Sequence, residues 1–358
     1  MIRRVTLPLS DDVVFDEIVD VRAPVEYAED HVTGAINLPV LTDEERQKVG
    51  WIYKQESAFN ARKVGAALVS KNISQHLEEH FSDKSKEYSV LLYCWRGGQR
   101  SGSMATVLSS IGWKVFVIED GYRAYRRHVV ERLEEQVANA AFVVLNGYTG
   151  AGKTLVLQAI EAQGGQMLDL EGLACHKGSV FGGDPENPQP QQKRFESLLF
   201  DSLSDFDLSR PIFLEAESAK IGRLNLPNTL WQKMKSAPVI EIDSPRQARA
   251  DYLTKDYEEW LGDIERVQAT LDRLRGFHSH QRLAEWKERT ERGEWNALVL
   301  ELLEEHYDRR YKVGGTGHFQ VPSGKVKLDR HDSASVARCA EEVIEKGMAL
   351  SFGEPLPC

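Results

Sequence analysis

Hydrophobic positions along the chain fall into two rhythms. Short apolar runs at residues 15–21, 34–40, 89–94 and 115–119 read as strands, and helical spacing between them covers residues 60–69 and 101–111. This alternation predicts an α/β layer structure with a largely parallel sheet. A charged helical stretch at 123–138 then leads to a fresh apolar run at 141–145, a glycine-rich turn and a helix over 153–162, so a second α/β unit begins near residue 140. Further strands are expected at 212–215 and 239–242, with residues 182–191 as a proline-containing loop. From residue 245 the pattern turns helical, over 245–262, 263–275 and 282–307. A glycine loop at 314–317 and a helix over 333–346 follow. The expected division is therefore a first α/β domain over 12–134, a second over 140–243, a helical subdomain over 244–310 and a segment over 311–358 that completes the second unit.

Composition supports two cores. The chain has 358 residues, 41% hydrophobic and 28% charged, the balance of a globular protein. No apolar run reaches the length of a signal peptide or a membrane span, so a cytoplasmic protein without a membrane partner is expected. A net charge of −10 argues against indiscriminate nucleic-acid binding. Residues 306–331 nevertheless carry Arg309, Arg310, Lys312, Lys325, Lys327 and Arg330 against Asp308 and Asp329, which is either a solvated surface or an RNA contact. Cys94, Cys175, Cys339 and Cys358 lack C-x-x-C spacing, so neither a disulfide framework nor a zinc site is signalled, and Cys175-His176 is too little for a metal pair.

Cys94 is different from the other three. It ends an apolar strand and is followed by Trp95-Arg96-Gly97-Gly98-Gln99-Arg100-Ser101 and a helix. A loop that wraps from a strand onto a helix N-terminus turns successive N–H groups inward and forms a cradle for an anion. The same field, with Arg96 and Arg100 nearby, is expected to favour the thiolate, so Cys94, Arg96 and Arg100 are the candidate catalytic residues. Trp95, Gly97, Gly98, Gln99 and Ser101 complete the cradle. Trp95 reads either as a core or rim tryptophan or as an aromatic platform beside the thiol.

A second motif, Gly147-Tyr148-Thr149-Gly150-Ala151-Gly152-Lys153-Thr154, matches the P-loop pattern G-x-x-x-x-G-K-[ST] between a predicted strand and a predicted helix. Its glycines let N–H groups approach phosphate oxygens, Lys153 adds charge, and Thr154 is placed to ligate Mg²⁺. A partner carboxylate for that ion is expected at the end of a neighbouring strand, with Glu215 or Glu217 as the candidates. No other metal site is expected. Whether the loop holds ATP or another phosphorylated substrate is left open.

Three segments in order give the first domain a resemblance to the rhodanese family: residues 20–27 with His31 and 34–39, the loop at Cys94, and residues 121–125. That resemblance implies that Cys94 carries sulfur or selenium between donor and acceptor, with Asp20 and Arg22 holding the fold. The C-x5-R-[ST] spacing of Cys94, Arg100 and Ser101 also resembles cysteine-dependent phosphatases, so a selenophosphate or thiophosphate donor would suit both patterns. A rhodanese domain joined to a P-loop domain resembles the bacterial tRNA 2-selenouridine synthases over nearly the whole chain. Residues 169–174, 176–179, 195–196, 215–218 and 221–222 add to the match. The resemblance implies a transferase that replaces sulfur by selenium in wobble 2-thiouridine of tRNA, using selenophosphate and, for an S-geranyl intermediate, geranyl diphosphate. A selenophosphate-supplying enzyme is an implied partner. The competing expectations are an ATP-dependent rhodanese-type sulfurtransferase for tRNA thiolation and a nucleotide-switched tRNA-binding protein.

Overall fold

The structure, a computed structural model, describes residues 2–176, 187–310 and 319–352. Lys177, Gly178, Ser179, Lys312, Cys358, the glycine loop at 314–317 and residues 182–186 of the proline loop at 182–191 lie outside the described residues.

The chain divides into two compact units, Met1–Glu134 with Pro190–Asp201, and Glu135–Gln189 with Ser202–Cys358. In the first unit, strands β1 (Ile2–Val5), β2 (Glu17–Asp20), β3 (Ala35–Asn37), β4 (Ser89–Tyr93) and β5 (Lys114–Ile118) form one sheet in the order β1-β5-β4-β2-β3. Every pairing is parallel. Its helices are α1 (Pro24–Glu29), α2 (Asp43–Gln55), α3 (Ala58–Glu79), α4 (Gln99–Ile111) and α5 (Gly121–Asn139), the last running past the unit boundary. Because side chains alternate across a strand, Val90 and Leu92 join one core with Val19, Val115 and Met104, while Leu91 and Tyr93 join another with Phe116, Ile118 and Tyr125. Burial on both faces explains why β4 is uninterruptedly apolar.

Periodicity foresaw β2 to β5 within a few residues at each end. It did not foresee β1, whose only buried residue is Val5, nor α2, which buries only Ile52 and is fixed at its start by a capping box between Thr42 and Glu45. Polar surfaces of this kind carry little hydrophobic signal.

The second unit has the sheet order β12-β11-β6-β8-β7, again parallel throughout, from β6 (Ala141–Asn146), β7 (Gln166–Leu168), β8 (Pro211–Glu215), β11 (Val239–Asp243) and β12 (Gly324–Lys327). A short hairpin, β9 (Lys220–Ile221) with β10 (Leu224–Asn225), stands apart. Helices α6 (Lys153–Ala162), α7 (Leu170–Leu173), α8 (Gln192–Ser204) and α9 (Asn228–Ser236) lie within this stretch of sequence. The first ten residues of α8 belong to the first unit, which the pattern gave no reason to expect. A helical region follows, α10 (Arg246–Asp256), α11 (Glu258–Leu261), α12 (Ile264–Asp272), α13 (His280–Glu291) and α14 (Trp295–Leu302). A π turn (Leu303–Tyr307), α15 (Asp308–Arg310) and, after β12, α16 (Ser333–Phe352) come last. Val143, Leu145, Phe213, Ile240 and Val326 from the sheet pack with Val156, Ile160, Ala340 and Val343 of α6 and α16. No described helix is long and apolar enough to cross a membrane.

A buried ion pair holds the first unit at the end of β2. Asp20 and Arg22 are 0% and 1% exposed, and the Arg22 Nη2 donates to Asp20 Oδ2 at 2.6 Å and to the Asp30 carbonyl at 2.6 Å. The guanidinium lies 4.0 Å from the centre of the Tyr122 ring. The Tyr122 hydroxyl donates to Asp30 Oδ2 at 2.8 Å, and Ser197 of α8 donates to the same oxygen at 3.0 Å. Removing one partner of such a pair strands the other charge in the core. Arg22→Ala is expected to lower stability by about 3–5 kcal/mol in urea denaturation, whereas an exposed-pair change such as Arg3→Ala should stay within about 0.5 kcal/mol.

Candidate functional site

Both motifs stand at the C-terminal ends of strands in their parallel sheets, where open α/β folds place their ligand sites. In the first unit Cys94 follows β4 directly, and α4 begins at Gln99 with Gly98 as its N-cap. The turn is kept tight from outside. Gly121, at φ +54°, sits so close that a Cβ there would lie 2.1 Å from the Cys94 carbonyl oxygen, and one on Gly97 would lie 2.5 Å from the Ile118 oxygen. The amide of Tyr122 donates to the Cys94 carbonyl at 2.8 Å and that of Arg123 to Trp95 at 3.3 Å. Residues 121–123 thus clamp the cysteine loop.

The thiol is 3% exposed. Burial is the largest influence and raises its pKa, but hydrogen bonds from the Ser101 hydroxyl, from the Ser101 and Arg96 backbone amides, and the charge of Arg100 together hold it below the ordinary value. The Ser101 Oγ lies 3.2 Å from Cys94 Sγ. The two arginines, expected together to favour the thiolate, do so in different ways. Arg96 acts through its backbone and its side chain is exposed. Arg100 is committed to Glu26, with Nη1 to Oε2 at 2.6 Å and Nη2 to Oε1 at 3.3 Å, and Arg46 meets the same carboxylate at 3.0 Å. Burial raises the Glu26 pKa, but the Arg100 and Arg46 charges overcome it and keep the carboxylate ionised. Gln99 and Gly98 are exposed at the loop rim and Gly97 is buried.

Beside this loop an open groove of about 350 Å³ is bounded by Trp95, Tyr122, Arg123, Arg126, Arg127 and Lys193, with Val130 and Glu131. Trp95 stacks on Tyr122, centroids 5.4 Å apart and planes at 28°. Arg127 is paired with Asp120, Arg126 with Glu196 and Lys193 with Glu29. The basic stretch at 306–331 is less coherent: Lys325 is tied to Glu241 and Asp243, and Arg330 to Asp332. The remaining described cysteines offer no cradle. Cys175 is half-buried, and burial pushes the Cys339 thiol up to about 12.

In the second unit the P-loop joins β6 to α6. Gly147, Gly150 and Gly152 have φ of +158°, +75° and +84°, and Gly152 is the N-cap of α6. A side chain on Gly152 would collide with His331 and Leu328, one on Gly150 with Leu253. The Lys153 ammonium donates to the Gly147 carbonyl at 3.1 Å, so it already points across the loop. Tyr148 and Thr149 are held by Arg249, whose guanidinium lies 5.1 Å from the Tyr148 ring and donates to the Thr149 carbonyl at 3.0 Å. Ala151 is buried, and its amide donates to Tyr148. Thr154 is half-buried in the first turn of α6.

Glu215 ends β8, in register with Leu145 of the neighbouring β6, at the place foreseen for a magnesium carboxylate. It is 1% exposed, and neither carboxylate oxygen has a hydrogen-bond partner. Burial, with Asp169 and Glu217 adding repulsion, pushes its pKa up to about 8. Glu171, at the start of α7, is raised as well, by burial and then by Glu217 and Glu215, with Lys153 opposing. The sequence reading missed Glu171 and Asp169 as site residues although both lie in a segment it singled out; Arg249 and His331 gave no signal. Among the described residues no three-ligand metal set is assembled. An unpartnered buried carboxylate beside a phosphate loop nevertheless suits Mg²⁺, which takes one or two carboxylates and completes its shell from water and phosphate.

A thiol cradle of rhodanese type and a P-loop on one chain define a tRNA-modifying transferase when joined to the comparisons with known proteins. Residues 7–128 match the model of the rhodanese-like domain and residues 140–282 that of the tRNA 2-selenouridine synthase AAA domain. A tRNA 2-selenouridine synthase of Sulfurovum sp. is 31% identical over 82% of this chain and 87% of its own length. That of Cupriavidus pinatubonensis is 34% identical with the same coverage, and that of Nitrosomonas europaea is 34% identical over 72% and 68%. Among solved structures, the N-terminal domain of a Clostridium difficile 630 protein described as ATP/GTP binding is 38% identical, covering 32% of this chain and 88% of that one, with a TM-score of 0.29. The chain belongs to the tRNA 2-selenouridine synthase family.

The thiol environment has a direct readout. Alkylation of Cys94 by iodoacetamide, followed by peptide mass spectrometry against pH, is expected to show a midpoint below the ordinary thiol value of about 8.5. Ser101→Ala should move that midpoint upward, since it removes the largest of the contributions that favour the thiolate. An unmoved midpoint would show that the hydroxyl has no part in it.

Proposed function

We propose that the chain converts wobble 2-thiouridine of tRNA to 2-selenouridine with selenophosphate as donor, through an S-geranyl intermediate made from geranyl diphosphate. The observation that carries this reading is the depressed thiol pKa of Cys94 in its amide cradle, on a chain that also presents a P-loop with an unpartnered carboxylate. Named relatives supply the substrate class.

In the first step the thiocarbonyl sulfur attacks C1 of the geranyl group, and the carbon–oxygen bond to diphosphate breaks. Amides of Gly147 to Thr154 and the Lys153 ammonium receive the charge that departs. Mg²⁺, held by Glu215 and Glu217 with Thr154, would neutralise that diphosphate when bound. In the second step selenium bonds to C2 of the ring and the geranyl thiolate leaves. Cys94 is the residue that opens the donor: its thiolate bonds to the phosphorus of selenophosphate, held in the cradle of Trp95 to Ser101 with Arg100 released from Glu26 to meet it. The phosphorus–selenium bond breaks to free the selenide that attacks C2, and water then releases the cysteine and phosphate. The groove of Trp95, Arg123, Arg126, Arg127 and Lys193 would present the anticodon, with cations on the phosphates and Trp95 against a base. A selenophosphate-supplying enzyme and a cytoplasmic setting belong to the same reading.

The second reading is an ATP-driven sulfurtransferase, favoured by the position of Glu215 beside the P-loop strand. It differs in requiring ATP hydrolysis that depends on Lys153. Nucleoside mass spectrometry of 2-thiouridine tRNA separates the two. With geranyl diphosphate and selenophosphate supplied, Cys94→Ser is expected to form S-geranyl-2-thiouridine but no 2-selenouridine. Lys153→Ala is expected to lose geranylation by about 100-fold while pre-geranylated tRNA is still selenated. Unaltered geranylation in the lysine variant would remove the diphosphate from the P-loop.

A further inference from the structure

Helix α2 carries a surface that the reaction above does not use. It buries only Ile52, and Gly50 stands exposed in the middle of its outward face. A glycine inside a helix costs stability relative to alanine, so its place there needs a reason. Packing supplies none: a Cβ on Gly50 would meet nothing within 4 Å, whereas one on Gly65 of α3 would lie 3.4 Å from Val49. The missing side chain leaves bare backbone open to solvent, flanked one turn away by Arg46, Gln47, Tyr53 and Lys54, all exposed. Such a gap permits the close approach of another molecule.

The surroundings select that molecule. Trp51, Tyr53 and Phe59 are 59%, 63% and 69% exposed at the corner where α2 passes into α3. Residues 46–63 hold Arg46, Lys48, Lys54, Arg62 and Lys63 against a single acid, Glu56, in a chain of net charge −10. Two of the acids at the start of α2 are engaged there, Asp43 accepting from the Val25 amide and Glu45 from the Thr42 amide. Among the described residues Lys48, Lys54 and Lys63 enter no ion pair, whereas Arg126, Arg127 and Lys193 of the groove beside Trp95 are each matched to a carboxylate. Lysine is depleted in protein–protein interfaces. Uncommitted cations interleaved with exposed aromatics suit single-stranded RNA, whose phosphates take the charge and whose bases stack. The face also begins at the thiol site, because Arg46 shares the Glu26 carboxylate with Arg100, the arginine nearest the cysteine loop. We infer that the outward face of α2 and its corner with α3 form a contact surface for the anticodon loop of the tRNA substrate, with Lys48, Lys54 and Lys63 on phosphates and the strand laid across Gly50 beside Tyr53. The inference rests on the tRNA-modifying reading of the chain.

Fluorescence anisotropy of a labelled anticodon stem–loop RNA carrying 2-thiouridine, titrated with the full chain at several salt concentrations, tests it. Gly50→Gln fills the gap without adding charge and is expected to weaken binding about tenfold, while the thermal midpoint stays equal or rises. Lys48→Ala, Lys54→Ala and Lys63→Ala combined should lower the slope of log affinity against log salt by about 2, the loss of three phosphate contacts on a single strand. Unaltered affinity in Gly50→Gln, or an unaltered slope in the lysine variant, overturns the surface and leaves the tRNA reading standing. Absence of RNA binding by the unmodified chain overturns both. Light scattering that shows a smaller assembly for Phe59→Ser than for the unmodified chain assigns the corner to a second copy and also overturns the surface. If Gly50→Gln loses its thermal midpoint, the lysine variant decides alone.

Discussion

The Asp20–Arg22 ion pair underlies the arrangement of the first unit. Burying two charges is costly unless each is fully paired and hydrogen-bonded, and here the guanidinium meets both Asp20 oxygens, the Asp30 carbonyl and the face of Tyr122. That last contact carries the consequence furthest. Tyr122 is the residue whose amide holds the Cys94 carbonyl and whose ring supports Trp95. Asp30 receives the Tyr122 hydroxyl and, with it, Ser197 from α8. A charge pair that never touches the thiol therefore fixes the loop in which the thiol sits.

Two parallel sheets repeat one local construction. In each, a central apolar strand ends in a glycine-containing turn and hands over to a helix whose first amides have no partner within the helix. What differs is the side chain at the turn. In the first unit it is a thiol stabilised as thiolate by a hydroxyl and two amides; in the second it is an ammonium lying across the loop opposite a set of carboxyls. The chain that carries both turns belongs to the tRNA 2-selenouridine synthase family.

Much of this was legible in the chain. Strands β4 and β6 are continuous apolar runs because both faces are covered, and their turns follow at once, so Cys94 and Lys153 were found from local sequence alone. Edge elements were not: β12 buries only Val326 among lysines, and its pairing with β11 depends on a partner far away in sequence. The same distance hid the modifiers of the sites. Glu26 reaches Arg100 across 74 residues, Arg249 reaches Thr149 across 100, and Glu171 meets Glu215 and Glu217 only through the topology. The thiol's activation was expected from the amides of the loop and the helix with two arginines nearby, and Ser101, seven residues on, adds a hydroxyl 3.2 Å from the sulfur.

The depth of Cys94 has a consequence for survival in the cell. A thiolate on the surface is the form most readily oxidised by peroxide, and its damage beyond the first stage is irreversible. Here the sulfur is almost wholly enclosed, and the one arginine that faces it is occupied by Glu26. Small ambient oxidants thus do not meet an open sulfur. The enclosure trades general reactivity for endurance.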